Sequence, residues 1–227
     1  MNQDITSIAA HRLILSCSPR PQGNCDHAAR IFEEEHNFQA PGQASLMRTL
    51  RKFRIKGCTG CGACTVWAKS YRKNEDEAPI LPEAEKAFLG CPLSLEDDSR
   101  MLLQEIAFAK DLCIIAPIYF YHLPYQLKAL LDRIQPFWAI RQEGVDFFRK
   151  DRPCKVILLG ARQTGDSLFK GSILTLKFSL GQKRYTLYNP LLLYGLDYPK
   201  DLLENKEPIH RIKNYAAEKP EAASFKP

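Results

Sequence analysis

No apolar run in these 227 residues approaches the ~20 that a membrane-spanning helix requires, so no bilayer crossing is expected. The opening, MNQDITSIAAHR, lacks a basic head followed by an apolar core; it predicts no secretory signal and a cytoplasmic address. Internal repeats and long low-complexity stretches are missing too. Paired acids are absent after the first predicted strand, where Cys17 and Ser18 stand, which argues against a regulatory domain of receiver type.

What remains is ordinary for a globular protein, 45% hydrophobic and 26% charged. A chain of this length buries roughly 70% of its unfolded surface, so neither metal nor disulfide is needed for stability. We expect one domain over 1–220 and a frayed tail at 221–227. The formal net charge is +6, with basic residues gathered at Arg48, Arg51, Lys52, Arg54 and Lys56. Such a patch attracts an anionic ligand, or is simply a solvated surface. Eight cysteines without a signal peptide imply a reducing compartment, where thiols stay free, bind metal or do redox work.

Strand and helix patterns alternate along the chain. RLILSCS (12–18), SLMRTLRKFRI (45–55), DLCIIAPIYF (111–120), CKVILLGA (154–161) and YTLYNPLLLYGLD (185–197) read as strands, the last interrupted at Pro190. Between them CDHAARIFEEEH has helical spacing, with Ala28, Ala29 and Phe32 on one side. SLEDDSRMLLQEIAFAK predicts a helix with Ser94 as N-cap, and PYQLKALLDRIQPFW one opening near Pro124. SILTLKFSLG predicts a helix closed by Gly181, and PKDLLENKEPIHRIKNYAAE a final helical segment broken at Pro208. Five alternations argue for a doubly wound parallel α/β sheet with helices on both faces.

Such a sheet binds ligands beyond the carboxyl ends of its strands. The first of these loops is SCSPRPQGNCDH. Pro19 and Pro21 stiffen it, Gly23 allows a positive-φ turn, and Asn24 is placed to cap the next helix. Free amides, the helix dipole, the Ser18 hydroxyl and the Arg20 charge make a phosphate cradle. It is neither G-x-G-x-x-G nor a Walker loop, and Gly23 stands where a cysteine phosphatase would need arginine. In the second loop Tyr119, Phe120, Tyr121 and His122 cluster at a strand end, suited to stacking on a planar aromatic ligand. The third, GARQTGDSLFKG, offers a glycine-containing approach at Gly160, Arg162 and Gly165.

SCSPRPQGNCDHA, CTGCGAC, LEDDSRM and DLCIIAPIYFYHLPYQLKALLDR together resemble the flavodoxin-like NAD(P)H-dependent FMN reductases, and within them the iron–sulfur flavoproteins. The resemblance runs from about Leu13 to Asp197, with an insertion at residues 65–90. It implies a five-stranded sheet in the order 2-1-3-4-5, bound FMN, NAD(P)H as donor, and a small-molecule acceptor or redox protein as partner. It implies neither nucleic acid nor membrane, and a homodimer or dimer of dimers. Carried onto this sequence, the FMN phosphate falls to Ser18, Pro19, Arg20, Gly23, Asn24 and Cys25, the last replacing a hydroxyl residue by a thiol. Pro117, Ile118, Tyr119, Phe120, Tyr121 and His122 border the ring, and Ala161, Arg162 and Gln163 fall at its pyrimidine edge.

The Cys-rich loop and insertion occupy about 57–92. Cys58, Cys61 and Cys64 keep the C-x₂-C-x₂-C pitch of iron–sulfur ligation, glycines 57, 60 and 62 let the backbone curl, and Cys91 precedes Pro92 as a fourth ligand often does. In the iron–sulfur flavoproteins the fourth cysteine lies within a few residues of the third. Here residues 65–90 intervene, and loop closure grows only slowly in cost with length. A [4Fe-4S] cluster, a zinc ion and free thiols all stay open, zinc fitting least because its sites favour paired cysteines. Cys17, Cys113 and Cys154 read as small buried residues. The expected activity is electron transfer from NAD(P)H through FMN to a quinone, a flavin or another small acceptor; the alternative is an electron carrier joining cluster, FMN and a partner protein.

Overall fold

All five residues of β1 (Arg12–Ser16) are buried, as a central strand covered on both faces requires. The computed structural model describes residues 12–43, 45–73, 90–148, 150–165 and 167–218. The expected tail at 221–227 and residues 74–89 of the insertion lie outside the described residues. The sheet runs β2 (Ser45–Thr49), β1, β3 (Asp111–Pro117), β4 (Arg152–Leu159), β5 (Tyr185–Leu187), every pair parallel. A sixth segment, β6 (Leu191–Leu193), also pairs with β4. β5 and β6 are two pieces of one edge strand, split next to Pro190, which cannot donate to a ladder. This is the expected flavodoxin-like order.

Alternate residues of each strand feed two cores. Leu13, Leu15, Ile114, Val156 and Leu158 pack under α3 (Ser99–Phe108), α4 (Tyr125–Asp132) and α6 (Lys170–Gly181). Ile14, Cys113, Ile115 and Ile157 face α1 (Asn24–Gln39), with Ala28, Ala29 and Phe32, and the last helix. Register is pinned by charge as well as pattern. Arg12 and Asp111 are partners across β1 and β3, and the guanidinium bonds the carboxylate. Lys155, in the middle of an apolar strand, donates to the carbonyls of Tyr215, Ala216 and Glu218 and so caps the final helix.

Three expected boundaries move. The helix read over 124–138 is two, α4 and α5 (Gln135–Gln142), because the ring of Pro136 clashes with the carbonyl four residues back, at Asp132. Ser94 caps no helix: it lies in a 3₁₀ turn, Pro92–Leu95, and α3 starts only at Ser99 after Asp98. At the other end Pro208 breaks nothing. It sits in the first turn of α8 (Lys206–Ala217), where its missing N–H is harmless, and the break with α7 (Asp201–Glu204) falls at Asn205, which caps the amide of Glu207. α2 (Ala63–Lys73) packs on α5, burying Ala68, Ala139 and Ile140 in a small third core that fixes the cysteine loop to the body of the fold.

Candidate functional site

The loops leaving β1, β3 and β4 meet at a cavity of about 160 Å³. Ser18, Arg20, Gly23, Asn24 and Cys25 supply one wall, Pro117, Ile118 and Tyr119 a second, Ala161 a third. Leu196, Asp197 and Pro199 close a fourth that sequence reasoning missed. The signal for it lay in YGLDYP, the carboxyl end of the split fifth strand, where the same strand-end rule applies.

The first loop is built differently from its expectation. Gly23 has φ −94 and acts as the N-cap of α1; the left-handed residue is Gln22, with φ 54. Asn24 does not cap its helix either. Its side chain reaches across to the fourth wall, donating to the Tyr198 carbonyl at 2.8 Å and accepting from the Leu202 amide at 3.1 Å. Arg20 donates to the Asp197 carbonyl at 3.0 Å. Two loop amides are already used, Arg20 by the Ser18 hydroxyl at 3.1 Å and Gln22 by Asp26 at 2.8 Å. The amides of Asn24 and Cys25, in the first turn of α1, have no intrahelical acceptor, and both residues line the cavity. Pro19 lies exposed at the edge. Burial, with Cys17 beside it, pushes the Cys25 thiol well up, so it stays neutral.

Beneath the loop lies Asp26. Burial works to raise its carboxyl, but hydrogen bonds from Arg51, from the Ser16 hydroxyl and from the Gln22 amide outweigh it and hold the group below its ordinary value. Arg51 is thus a brace. Arg48 pairs with Glu105 and Lys56 with Glu96 in the same way. Three of the five cations of the basic patch are thus paired with carboxylates.

The second loop is a two-residue hairpin. Tyr119 and His122 form an isolated antiparallel bridge, and Phe120 and Tyr121 between them have φ 49 and 66. Both left-handed positions are taken by bulky residues, a cost of order 1–3 kcal/mol each that proteins tolerate where a loop is over-determined. Tyr119 enters the cavity, Phe120 is 102% exposed, and Tyr121 lies under Arg162, 5.3 Å from guanidinium carbon to ring centre. His122 turns away, its Nδ1 accepting from the Leu123 amide and its Nε2 lying 3.3 Å from the Thr175 hydroxyl. In the third loop Gln163 packs against Gly195 rather than the cavity.

A second cavity, of about 250 Å³, gathers Cys58, Cys61, Cys64 and Cys91. Gly60 and Gly62 take φ 67 and 75, which lets the run curl, and Cys64 enters α2. Cys58 and Cys61 are exposed, Cys64 and Cys91 half-buried, and none of the eight cysteines is in a disulfide. Among the described residues no three Cys, His, Asp or Glu side chains converge tightly enough to hold one ion. Arg133 and Pro136 form the inner wall. Sequence reasoning passed over Arg133, which is 42 residues from Cys91. Cys17, Cys113 and Cys154 are buried, as expected. No helix among the described residues is long and apolar enough to cross a membrane.

No family model matches the chain. An iron-sulfur flavoprotein of Methanocaldococcus jannaschii is 24% identical over 151 residues, 66% of this chain and 62% of that protein, so the match spans less than two thirds of the relative. Among solved structures, an FMN-dependent NADH-azoreductase of Bacillus anthracis in complex with FMN aligns with TM-score 0.54 and 14% identity, over 91% of this chain and 97% of that one. An NAD(P)H:quinone oxidoreductase of Methanothermobacter marburgensis aligns with TM-score 0.57 and 15% identity, over 92% and 96%. RosB, with a bound formylriboflavin phosphate intermediate, aligns with TM-score 0.52 and 18% identity, over 91% and 75%. At such identities what is shared is the fold.

Proposed function

We propose that this chain is an FMN-dependent oxidoreductase that takes hydride from NAD(P)H and passes electrons to a quinone, a flavin or another small acceptor. One observation carries the reading. The turn after β1, with its free amides and Arg20, and the aromatic hairpin after β3 open on the same cavity. Its 160 Å³ is below the ~300–1,000 Å³ of an enclosed ligand site. That suits a ligand whose phosphate and chain are enclosed while a planar head lies on the rim. The amides of Asn24 and Cys25 with Arg20 would hold the phosphate. Ile118 and Tyr119 would orient the ring, with Phe120 and Tyr121 at its edge. Bound FMN supplies the hydride chemistry, so no protein acid or base is assigned. The three neighbours named above support the choice: one is in complex with FMN, one is an NAD(P)H:quinone oxidoreductase, and one holds a formylriboflavin phosphate. Exposed Phe120, Tyr121 and Tyr125 beside the cavity favour a second copy of the chain as its cover.

A second reading is favoured by the four thiols around one cavity, together with the curated iron–sulfur relative. Cys58, Cys61, Cys64 and Cys91 would ligate a [4Fe-4S] cluster that exchanges electrons with FMN and a partner protein. The lack of a tight three-ligand convergence among the described residues weighs against a single zinc ion.

Titrating the folded, flavin-free chain with FMN tests the first reading. Quenching of flavin fluorescence at one FMN per chain, then bleaching by NADPH without air, is the expected result. A folded chain that leaves FMN fluorescence unchanged overturns it. Iron and acid-labile sulfide in anaerobically prepared protein test the second reading separately.

A further inference from the structure

Arg133 has the largest fully buried side chain among the described residues, yet it stands between helices α4 and α5 rather than within one. Its guanidinium and the Asp97 carboxylate are both 0% exposed and 3.0 Å apart. A buried ion pair is weak evidence of stability, because desolvating two charges offsets much of their attraction. The other donors show what the side chain does. Nη1 also bonds the Lys56 carbonyl at 3.1 Å, Nη2 the Ser94 hydroxyl at 3.0 Å, and Nε the Cys91 sulfur at 3.2 Å.

Lys56 lies two residues before Cys58, while Ser94 and Asp97 follow Cys91. One guanidinium therefore fastens the limb carrying three of the thiols to the limb carrying the fourth. Asp97 repeats the connection by accepting from the Lys56 amide at 2.8 Å. The joint spans the 26 residues of the insertion, and it explains how a distant Cys91 reaches the cavity shared by Cys58, Cys61 and Cys64.

We propose that Arg133 is the positioning residue of the thiol cavity: it locks the two limbs together and, with a cluster bound, hydrogen-bonds one ligating sulfur and raises the cluster's reduction potential. This rests on the cluster reading above. Hydrogen bonds to cluster sulfurs favour the more negative, reduced form. The role needs arginine rather than charge alone, because a planar fork can serve sulfur, hydroxyl, carbonyl and carboxylate at once, whereas lysine is a point donor.

The test compares wild type with Arg133→Lys, both reconstituted anaerobically with ferrous iron and sulfide. Iron and sulfide per chain, far-UV circular dichroism, and a potentiometric titration followed by EPR are measured on each. The variant is expected to fold, to bind FMN as wild type does, and to shift the cluster's equilibrium about tenfold towards oxidised, ~59 mV lower for one electron. A folded variant with unchanged FMN affinity that fails to load iron supports the locking role. An unchanged potential in the loaded variant overturns the inference and leaves the cluster reading standing. Wild type that takes up FMN but no iron overturns both. Should Arg133→Lys not fold, Ser94→Ala, which deletes only the Nη2 acceptor, is expected to lower the potential by a smaller step; no change there overturns the inference.

Discussion

Arg51 Nη2 lies 2.7 Å from Asp26 Oδ2, across the gap between the end of β2 and the first turn of α1. The pair sits directly beneath the turn assigned to an anion, a place where a lone carboxylate would repel it. Arg51 also donates to the carbonyls of Ser18 and Arg20, at 3.3 and 3.4 Å, so it ties the turn itself to the carboxylate. Asp26 titrates below its ordinary value, so the sign is fixed. Its contribution is present above the unfolded carboxylate value of ~3.9 and is lost as pH falls through the lower, folded value. Asp26→Asn is expected to lower unfolding free energy by about 1–3 kcal/mol at pH 7, with the gap to wild type closing below pH ~4. Urea melts at the two pH values measure it; a gap that persists in acid would show that the charge is not what matters.

The hairpin after β3 makes an opposite prediction. Phe120 is fully exposed and left-handed, a conformation that costs roughly 1–2 kcal/mol for a side chain with a Cβ. Phe120→Gly is therefore expected to leave the thermal midpoint unchanged or raise it, although a whole aromatic ring is removed. Phe120→Val should lower stability by ~1 kcal/mol, since a β-branched residue fits that region worst. Both should raise the FMN Kd about two- to tenfold, the worth of one aromatic contact of ~0.5–1.5 kcal/mol. Equal FMN affinity in all three proteins would remove Phe120 from the ring site.

Arg20 supplies the one cationic side chain assigned to the phosphate. Its guanidinium already bonds the Asp197 carbonyl, which aims it along the cavity's rim. Arg20→Ala is expected to weaken FMN by about tenfold to a hundredfold, the worth of ~1.5–3 kcal/mol for a charged hydrogen bond, and added salt should shrink the difference. Riboflavin, which lacks the phosphate, should bind both proteins alike. Should riboflavin and FMN lose affinity in step, Arg20 acts on the loop's shape and not on the anion.

Local pattern made the sheet legible. Four strands stood as apolar runs between turn residues and the second only as an alternation, half-buried at the sheet's edge; the loops at strand ends followed from the parallel order. What escaped were features whose partner is remote in sequence. Lys155 interrupts an otherwise apolar strand because helix α8 ends above it, 60 residues on. Gly23 carried the obvious turn signal, yet Gln22 takes the left-handed turn, held there by Asp26. The basic patch is a count of cations until Glu105, Asp26 and Glu96 fold against them. Cysteine pitch was legible, but Arg133, which makes the fourth cysteine part of the set, could be placed only once Pro136 was seen to end α4.

Gly195 offers the last test, of how the third and fourth walls hold each other. Its φ is 70, and a Cβ there would stand 2.6 Å from Oε1 of Gln163. Its amide also bonds the Arg162 carbonyl at 3.0 Å, so the residue after β6 and the loop after β4 are one unit. Gly195→Ala is expected to cost about 1–2 kcal/mol from the left-handed backbone alone. A further loss should come from displacing the Gln163 amide, and only that part should vanish in the background Gln163→Ala. The double-mutant cycle therefore predicts a non-zero coupling. Strict additivity would mean that the Gln163 side chain swings aside freely, leaving the backbone bond from Gly195 to Arg162 as the tie between the two walls.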